Sequence, residues 1–357
     1  MRQQFASDNN AGMCPQALER FLEANKAGHA LGYGGDPWTA EAKARIAELF
    51  ETDCEVFFVF NGTAANALSL AQLCRPYNAV IAHALSHIDT DEAGAPEFFM
   101  GGGKIMTADT PLAKLTPKAV EELATRYSGT HHVKPAVLSL TQATELGTVY
   151  ATSELRPLTE VARRHGLKVH MDGARFANAI ARLGCSPADL TWRSGVDVLC
   201  FGGVKNGLAV GDAIVFFDRA LAHEFGWRVK QGGQLNSKMR LVSAAWLGLL
   251  ENDVWLSNAR HANTMADRLA AGLVGIPGVK LIAPVEANGV FADIPQEIQS
   301  ALRAKGWQFY TFFGETGCRL MCAWDTAPET VDQFLADIRA AASASTTLAV
   351  LSGAPAG

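Results

Sequence analysis

Four short stretches of this chain set reactive or anion-binding side chains beside glycines. The first is Asn61-Gly62-Thr63-Ala64-Ala65-Asn66, after an apolar run and at the start of a helical pattern. A glycine at such a turn leaves backbone N–H groups and the positive end of a helix aimed at an anion, and Thr63 adds a hydroxyl donor. A phosphate suits that turn; an ordinary strand-to-helix turn capped by Thr63 is the other reading. His87 follows the apolar pair Val80-Ile81 and can stack on a flat ring or make one structural hydrogen bond. Asp172, in Met171-Asp172-Gly173-Ala174-Arg175, lies just past an apolar run. A carboxylate buried there requires a cation, either a protonated ring nitrogen or Arg175 itself. Lys205, in Gly202-Gly203-Val204-Lys205-Asn206-Gly207, has apolar neighbours on both sides. Desolvation lowers the pKa of an amine and makes it a nucleophile toward a carbonyl carbon; a solvated loop lysine is the alternative.

These groups need elements to position them. Residues 55–60, 79–82, 136–140, 168–171, 196–201 and 213–217 read as strands. Helical spacing marks 18–27, 39–50 (with Thr39 as N-cap), 63–73, 116–127 and 152–165. Strands alternating with helices imply βαβ units and a mostly parallel sheet, with ligands at the carboxyl ends of the strands. All four stretches fall at such ends. A long helical segment, 238–271 with a break near 251–253, leads into a second βαβ-like pattern over 279–340. The expected organisation is an N-terminal arm (1–15) that contributes to the site, a large domain (16–250), a small C-terminal α/β domain (251–340) and a flexible tail (341–357).

The composition narrows the class. Of 357 residues, 48% are hydrophobic and 19% charged, so much of the chain is expected to be buried. A net charge of −5 excludes a generally basic nucleic-acid binder. No apolar run has the length of a membrane span or the shape of a signal peptide. The seven cysteines form no C-x-x-C pair, which points to reduced thiols in a cytoplasm and supports no metal site.

An anion turn, a stacking histidine, a ring-nitrogen carboxylate and a nucleophilic lysine, in that order, are the layout of a pyridoxal phosphate enzyme. The chain resembles the threonine aldolase family within the β-eliminating lyases. The match is carried by Ser7-Asp8-Asn9, Gly32-Tyr33-Gly34-Gly35-Asp36-Pro37, Asn61 to Asn66, His87 with Glu92-Ala93-Gly94, Asp172 to Arg175, Lys205, and Gly317-Cys318-Arg319-Leu320. The resemblance implies an aspartate aminotransferase-like, fold type I large domain with a smaller C-terminal α/β domain. It also implies cleavage of L-β-hydroxy-α-amino acids such as L-threonine, L-allo-threonine or L-phenylserine to glycine and an aldehyde. By the same resemblance, Lys205 holds pyridoxal 5'-phosphate as a Schiff base, Asp172 pairs with the ring nitrogen, Gly62 and Thr63 hold the phosphate, and His87 stacks on the ring. Ser7, Arg175 and Arg319 look like the substrate carboxylate clamp, and Tyr33 lies near phosphate or substrate, in its own or in the neighbouring subunit. His131 (or its neighbour His132) is similar in position to a histidine that works beside the stacking one near the substrate hydroxyl, so the implied base for the hydroxyl proton is His87 or a water held by His87 and His131. Lys230 or Arg240 reaches a partner subunit's phosphate. A homodimer or homotetramer with shared sites is implied, with no nucleic acid or membrane partner. Two departures stand out: Val204 replaces the Ser or Thr often found before the lysine, and Gln142-Ala143-Thr144-Glu145 replaces a Glu-Asn-Thr-His pattern. Another fold type I enzyme, such as a β-eliminating lyase or aminotransferase, and a non-catalytic degenerate relative are the competing readings.

Overall fold

A computed structural model describes residues 3–351, with side chains through residue 344. Its larger sheet is built from β1 (Glu55–Val59), β2 (Asn78–His83), β3 (Lys104–Ala108), β4 (Lys134–Thr141), β5 (Lys168–Gly173), β6 (Val198–Phe201) and β7 (Asp212–Phe216). The order is β1-β7-β6-β5-β4-β2-β3, and only β7 runs antiparallel to its neighbours. Helices Gly62–Leu73, Thr152–Arg164 and Met239–Leu250 are among those that cover it. The central strands are apolar on both faces because both are covered, which is why they read as unbroken hydrophobic runs. β3 escaped the sequence reading; it is an edge strand of half-buried residues with Lys104 exposed, so it lacks the apolar run that marks the others.

Packing tolerates no side chain where β5 and β6 turn toward the site. A Cβ on Gly202 would press on the backbone of Ala174, 2.7 Å from Cα and 2.8 Å from the carbonyl carbon. Next to this contact, Phe50, Phe176, Phe201 and Trp246 form a ring cluster that anchors the helices on one face. Helix Pro37–Leu49 starts one turn earlier than its pattern suggests. Asp36, not Thr39, is its N-cap, accepting the Thr39 N–H at 2.8 Å.

A second sheet follows the long helices, from β8 (Lys280–Leu281), β9 (Gly289–Asp293), β10 (Tyr310–Phe313) and β11 (Gly317–Met321), in the order β10-β11-β9-β8. Its pairings are all antiparallel, unlike the βαβ-like pattern expected. The reason is β10: this short hairpin partner reverses the chain before β11, so β11 returns against β9. Residues 341–351, expected as tail, continue helix Pro328–Leu351. Alanine-rich sequence has the least to lose in a helix. Residues 352–357 of the expected tail lie outside the described residues.

The N-terminal arm ties the two sheets together. Gln4 bridges to Gln308, and Phe5 is fully buried against Trp307 and Phe334 in the second core. Three residues on, Asp8 reaches Arg175 after β5 of the large sheet.

Candidate active site

Strands β1, β2, β4, β5 and β6 point their carboxyl ends the same way, and the antiparallel β7 begins there. Their loops enclose a cavity of about 310 Å³ with Arg319 and Phe312 of the small sheet on its far wall. Gly62, Thr63, His87, Asp172, Arg175, Lys205 and Arg319, all named from the sequence, line it.

Helix Gly62–Leu73 opens on the anion turn, with the Asn61 side chain as N-cap accepting from Ala64 N–H at 3.0 Å. The cap occupies that donor and leaves the first N–H groups of the helix without intrahelical partners, directed at the cavity. Opposite the turn, Asp212 Oδ1 accepts the N–H groups of Gly203 (2.8 Å) and Val204 (3.1 Å), which fixes the backbone just before Lys205. The other side of that loop is held by Asn206, which donates to Trp255 O, and by Asn258, which donates to Asn206 O. Lys205 is thus half-buried on a turn clamped at both ends.

Asp172 is 5% exposed. It accepts the Ala174 N–H at 2.9 Å and the Asn66 amide at 2.8 Å. Burial alone would raise its pKa, but His87, the Ala174 N–H, Lys205 and Asn66 together hold it below the ordinary carboxylate value. His170, two residues earlier, cannot supply a counter-charge: burial pushes it down to about 4, and it bonds Ser139 and Cys200 instead.

The amide of Asn66 also donates to Glu92 Oε1 at 2.8 Å, so one nitrogen bridges two carboxylates. Glu92 Oε1 in turn meets His87 Nδ1 at 2.8 Å, and Asp91 lies 3.4 Å from Nε2. The hydrogen bond to Glu92 is the main cause of a raised His87 pKa, and Asp172 adds to it. Glu145, from the loop after β4, accepts the His87 backbone N–H at 3.1 Å. Burial pushes its carboxyl up to about 7.

The two arginines differ. Arg175 is bound bidentately by Asp8, Nε to Oδ2 at 2.8 Å and Nη2 to Oδ1 at 3.0 Å, so two of its three nitrogens are taken. Asn288 holds the same carboxylate at 3.0 Å. Arg319 has its guanidinium 5.5 Å from the Tyr310 ring and 5.0 Å from the Phe312 ring, and its buried Nε has no partner. Burial, then the charge of Arg175, lowers its pKa. A planar cation flanked by rings, with a buried donor unpaired, has the chemistry to accept a carboxylate.

Several residues named from the sequence lie away from the cavity of their own chain. His131 and His132 are exposed and precede β4, at the edge of the sheet opposite the cavity. β4 has eight residues, about 26 Å at the rise of an extended strand, so within one chain His131 does not meet His87. The position beside His87 belongs to Glu145, the last residue of the departing Gln142-Ala143-Thr144-Glu145 segment. Ser7 accepts the Asn9 N–H and does not line the cavity; its neighbours Asp8 and Asn9 face Arg175 and the cavity. Tyr33, 57% exposed, lies on a separate surface under Lys230, whose Nζ is 5.1 Å from the ring. Neither Lys230 nor Arg240 lines the cavity. Sequence reading assigned no role to Asn66, Asp8, Asp212 or Glu145. Asn66 and Asp8 lie inside motifs already singled out and Glu145 ends the departing segment, whereas nothing local marks Asp212 as facing a site.

The cofactor implied by the resemblance fits what is present. The helix N-terminus at Gly62 suits a phosphate, the buried and ionised Asp172 suits a pyridinium nitrogen, and Lys205 lies between them on a rigid turn. Comparison with known proteins agrees. The sequence model of the beta-eliminating lyase family matches residues 4–297. The chain is 55% identical over 337 residues to the low specificity L-threonine aldolase of Pseudomonas aeruginosa, covering 94% of this chain and 97% of that one. It is 54% identical to its counterpart from a Pseudomonas species, covering 96% and 99%. A threonine aldolase structure from Leishmania major superposes with a TM-score of 0.90 at 30% identity, over 96% of this chain and all of that one. Aspartate aminotransferase from Thermus thermophilus, at 16% identity and a TM-score of 0.71, shares the fold, which is fold type I.

Proposed function

Because this chain belongs to the threonine aldolase family, within the beta-eliminating lyases, we propose that it cleaves L-β-hydroxy-α-amino acids, L-threonine, L-allo-threonine and L-phenylserine among them, to glycine and an aldehyde. Enzymes of the family use pyridoxal phosphate, which supplies a conjugated cationic ring that takes up the electron pair released at Cα. In this reading Lys205 holds its aldehyde carbon, Asp172 its ring nitrogen, Gly62 and Thr63 its phosphate, and His87 covers one face. Arg319, assisted by Arg175, binds the substrate carboxylate. A fixed carboxylate limits rotation of the amino acid and so selects which bond at Cα breaks.

The observation that carries the reading is the orphaned, buried Nε of Arg319 across the cavity from Lys205 and Asp172. An amino acid spanning these groups matches both its carboxylate and its reacting carbon. The test is direct. Protein loaded with pyridoxal phosphate and mixed with L-threonine should yield glycine and acetaldehyde in equal amounts, and Lys205→Ala should lose both the visible absorption band and the products. A 2-oxo acid without aldehyde would instead assign an aminotransferase.

A homo-oligomer, dimer or tetramer, with sites completed between copies belongs to the same proposal. Phe60 (61% exposed), beside the anion turn, Tyr33 (57%) and Trp227 (76%) support it as apolar groups left open on one chain. Seven free cysteines fit a reducing cytoplasm, and no helix among the described residues is long and apolar enough to cross a membrane.

A further inference from the structure

Cleavage of a β-hydroxy amino acid requires a group that takes the hydroxyl proton while the Cα–Cβ bond breaks. His87 is poorly suited to that task. Glu92 faces one ring nitrogen at 2.8 Å and Asp91 the other at 3.4 Å, and the hydrogen bond to Glu92 raises the His87 pKa, which favours the protonated ring that has no lone pair to accept a proton. Glu145 is the neighbouring candidate. The loop that carries it is pinned by Thr144 N–H on Thr148 O (2.9 Å), by Gly147 N–H on Thr144 O (2.8 Å) and by the Thr148 hydroxyl on Leu112 O (2.7 Å). Its Oε1 accepts the His87 N–H, while Oε2 is buried, lacks a partner, and belongs to a residue on the cavity wall.

We propose that Glu145 is the catalytic residue that accepts the β-hydroxyl proton; this rests on the aldolase reading above. The O–H electron pair becomes the second bond of the aldehyde carbonyl as Cα–Cβ breaks. The pair from that bond stays with Cα, which is protonated to glycine by Lys205 or solvent. The proton on Oε2 leaves to solvent through the cavity mouth, so no net proton is gained or lost.

Charged groups around the cavity that Glu145 lines come from several elements, Asp212 at the start of β7 among them. His87, with Asp91 and Glu92 behind it, lies on the segment after β2, Asp172 and Arg175 follow β5, Lys205 follows β6, and Arg319 comes from β11. Thr141, at the end of β4, and Tyr150 lie on its own segment. Burial raises the carboxyl to about 7, the like charge of Asp172 adds to that, and the Thr141 hydroxyl and backbone N–H groups oppose it. A base poised near neutrality is the efficient one at neutral pH.

The test compares Glu145→Gln and Glu145→Asp with the unmodified holoenzyme in two reactions. Threonine cleavage needs a base for the hydroxyl; exchange of a glycine α-proton with deuterated water needs the cofactor, Lys205 and the arginines but no hydroxyl base. Glu145→Gln should lower kcat for cleavage about 100- to 10,000-fold and abolish the rise of kcat with pH through neutrality. Glycine exchange and cofactor affinity of the apoprotein, read by tryptophan fluorescence, should stay within about threefold. Glu145→Asp should restore part of the rate and the pH step. Cleavage by Glu145→Gln within about threefold of the original, or parallel loss of exchange and cleavage, would overturn the proposal. Exchange without cleavage in the unmodified enzyme would overturn the aldolase reading itself.

Discussion

Arg319→Lys is the substitution that tests the carboxylate receptor most sharply. Lysine keeps the charge and much of the length, but it has no planar fork and no Nε. In the structure Nε is buried without a partner, and the guanidinium plane is flanked by Tyr310 and Phe312 at 5.5 and 5.0 Å. Losing one charge-assisted hydrogen bond to the substrate costs about 1.5–3 kcal/mol, and losing the ring contacts adds about 0.5–1 kcal/mol. The sum, about 2–4 kcal/mol, corresponds to a fall in kcat/KM of about 30- to 1,000-fold. Acetaldehyde release, followed by coupled reduction across threonine concentrations, measures it. Because the carboxylate is bound alike before and during bond cleavage, the loss should appear mainly in KM. Cofactor absorbance and thermal stability of the variant, unchanged from the parent, show that the site is otherwise intact. An Arg319→Lys protein within about threefold of the parent in kcat/KM would refute the receptor assignment and move the carboxylate to Arg175.

Gly202→Ala forces a methyl onto the Ala174 backbone, where no flexible side chain can give way; urea titration should show a loss of about 1–3 kcal/mol, and an unchanged midpoint would mean that the β5 and β6 ends are loosely packed. Glu92→Gln removes the main cause of the raised His87 pKa, so the His87 imidazole titration seen by NMR should move down; an unmoved titration would assign the raised value to Asp172 instead. Asp8 has its carboxyl held below the ordinary value, burial opposing and Arg175 then outweighing it. A depressed folded-state pKa contributes stability above the unfolded value, near 3.9, that is lost as pH falls through the folded value. The stability gap between the parent and Asp8→Asn should therefore be fullest near neutral pH and shrink in acid; a gap independent of pH would show that shape, not charge, holds the arm.

Residues that act through their position on the chain were legible without coordinates. Gly62, Asp172 and Lys205 each end an apolar strand, and such ends converge in any parallel sheet, so local pattern was enough to group them. His131 shows the limit of that logic. It precedes β4 instead of following it, and eight residues of strand carry it away from the cavity of its own chain. β10 was missed because it has only four residues and none is fully buried, so no apolar run marks it, and that hairpin is what turned an expected βαβ pattern into an antiparallel sheet.

Fold class, family and the groups at strand ends were thus written in the chain alone, because strand periodicity and short motifs are properties of adjacent residues. Charge states and partners had to wait for folding. Asp8 meets Arg175 across 167 positions of chain, Asn66 bridges Asp172 and Glu92, and Glu145 takes the place beside His87. Burial and the field of neighbours set whether such a carboxyl is ionised, and both are sums over groups that become neighbours only when the chain has folded.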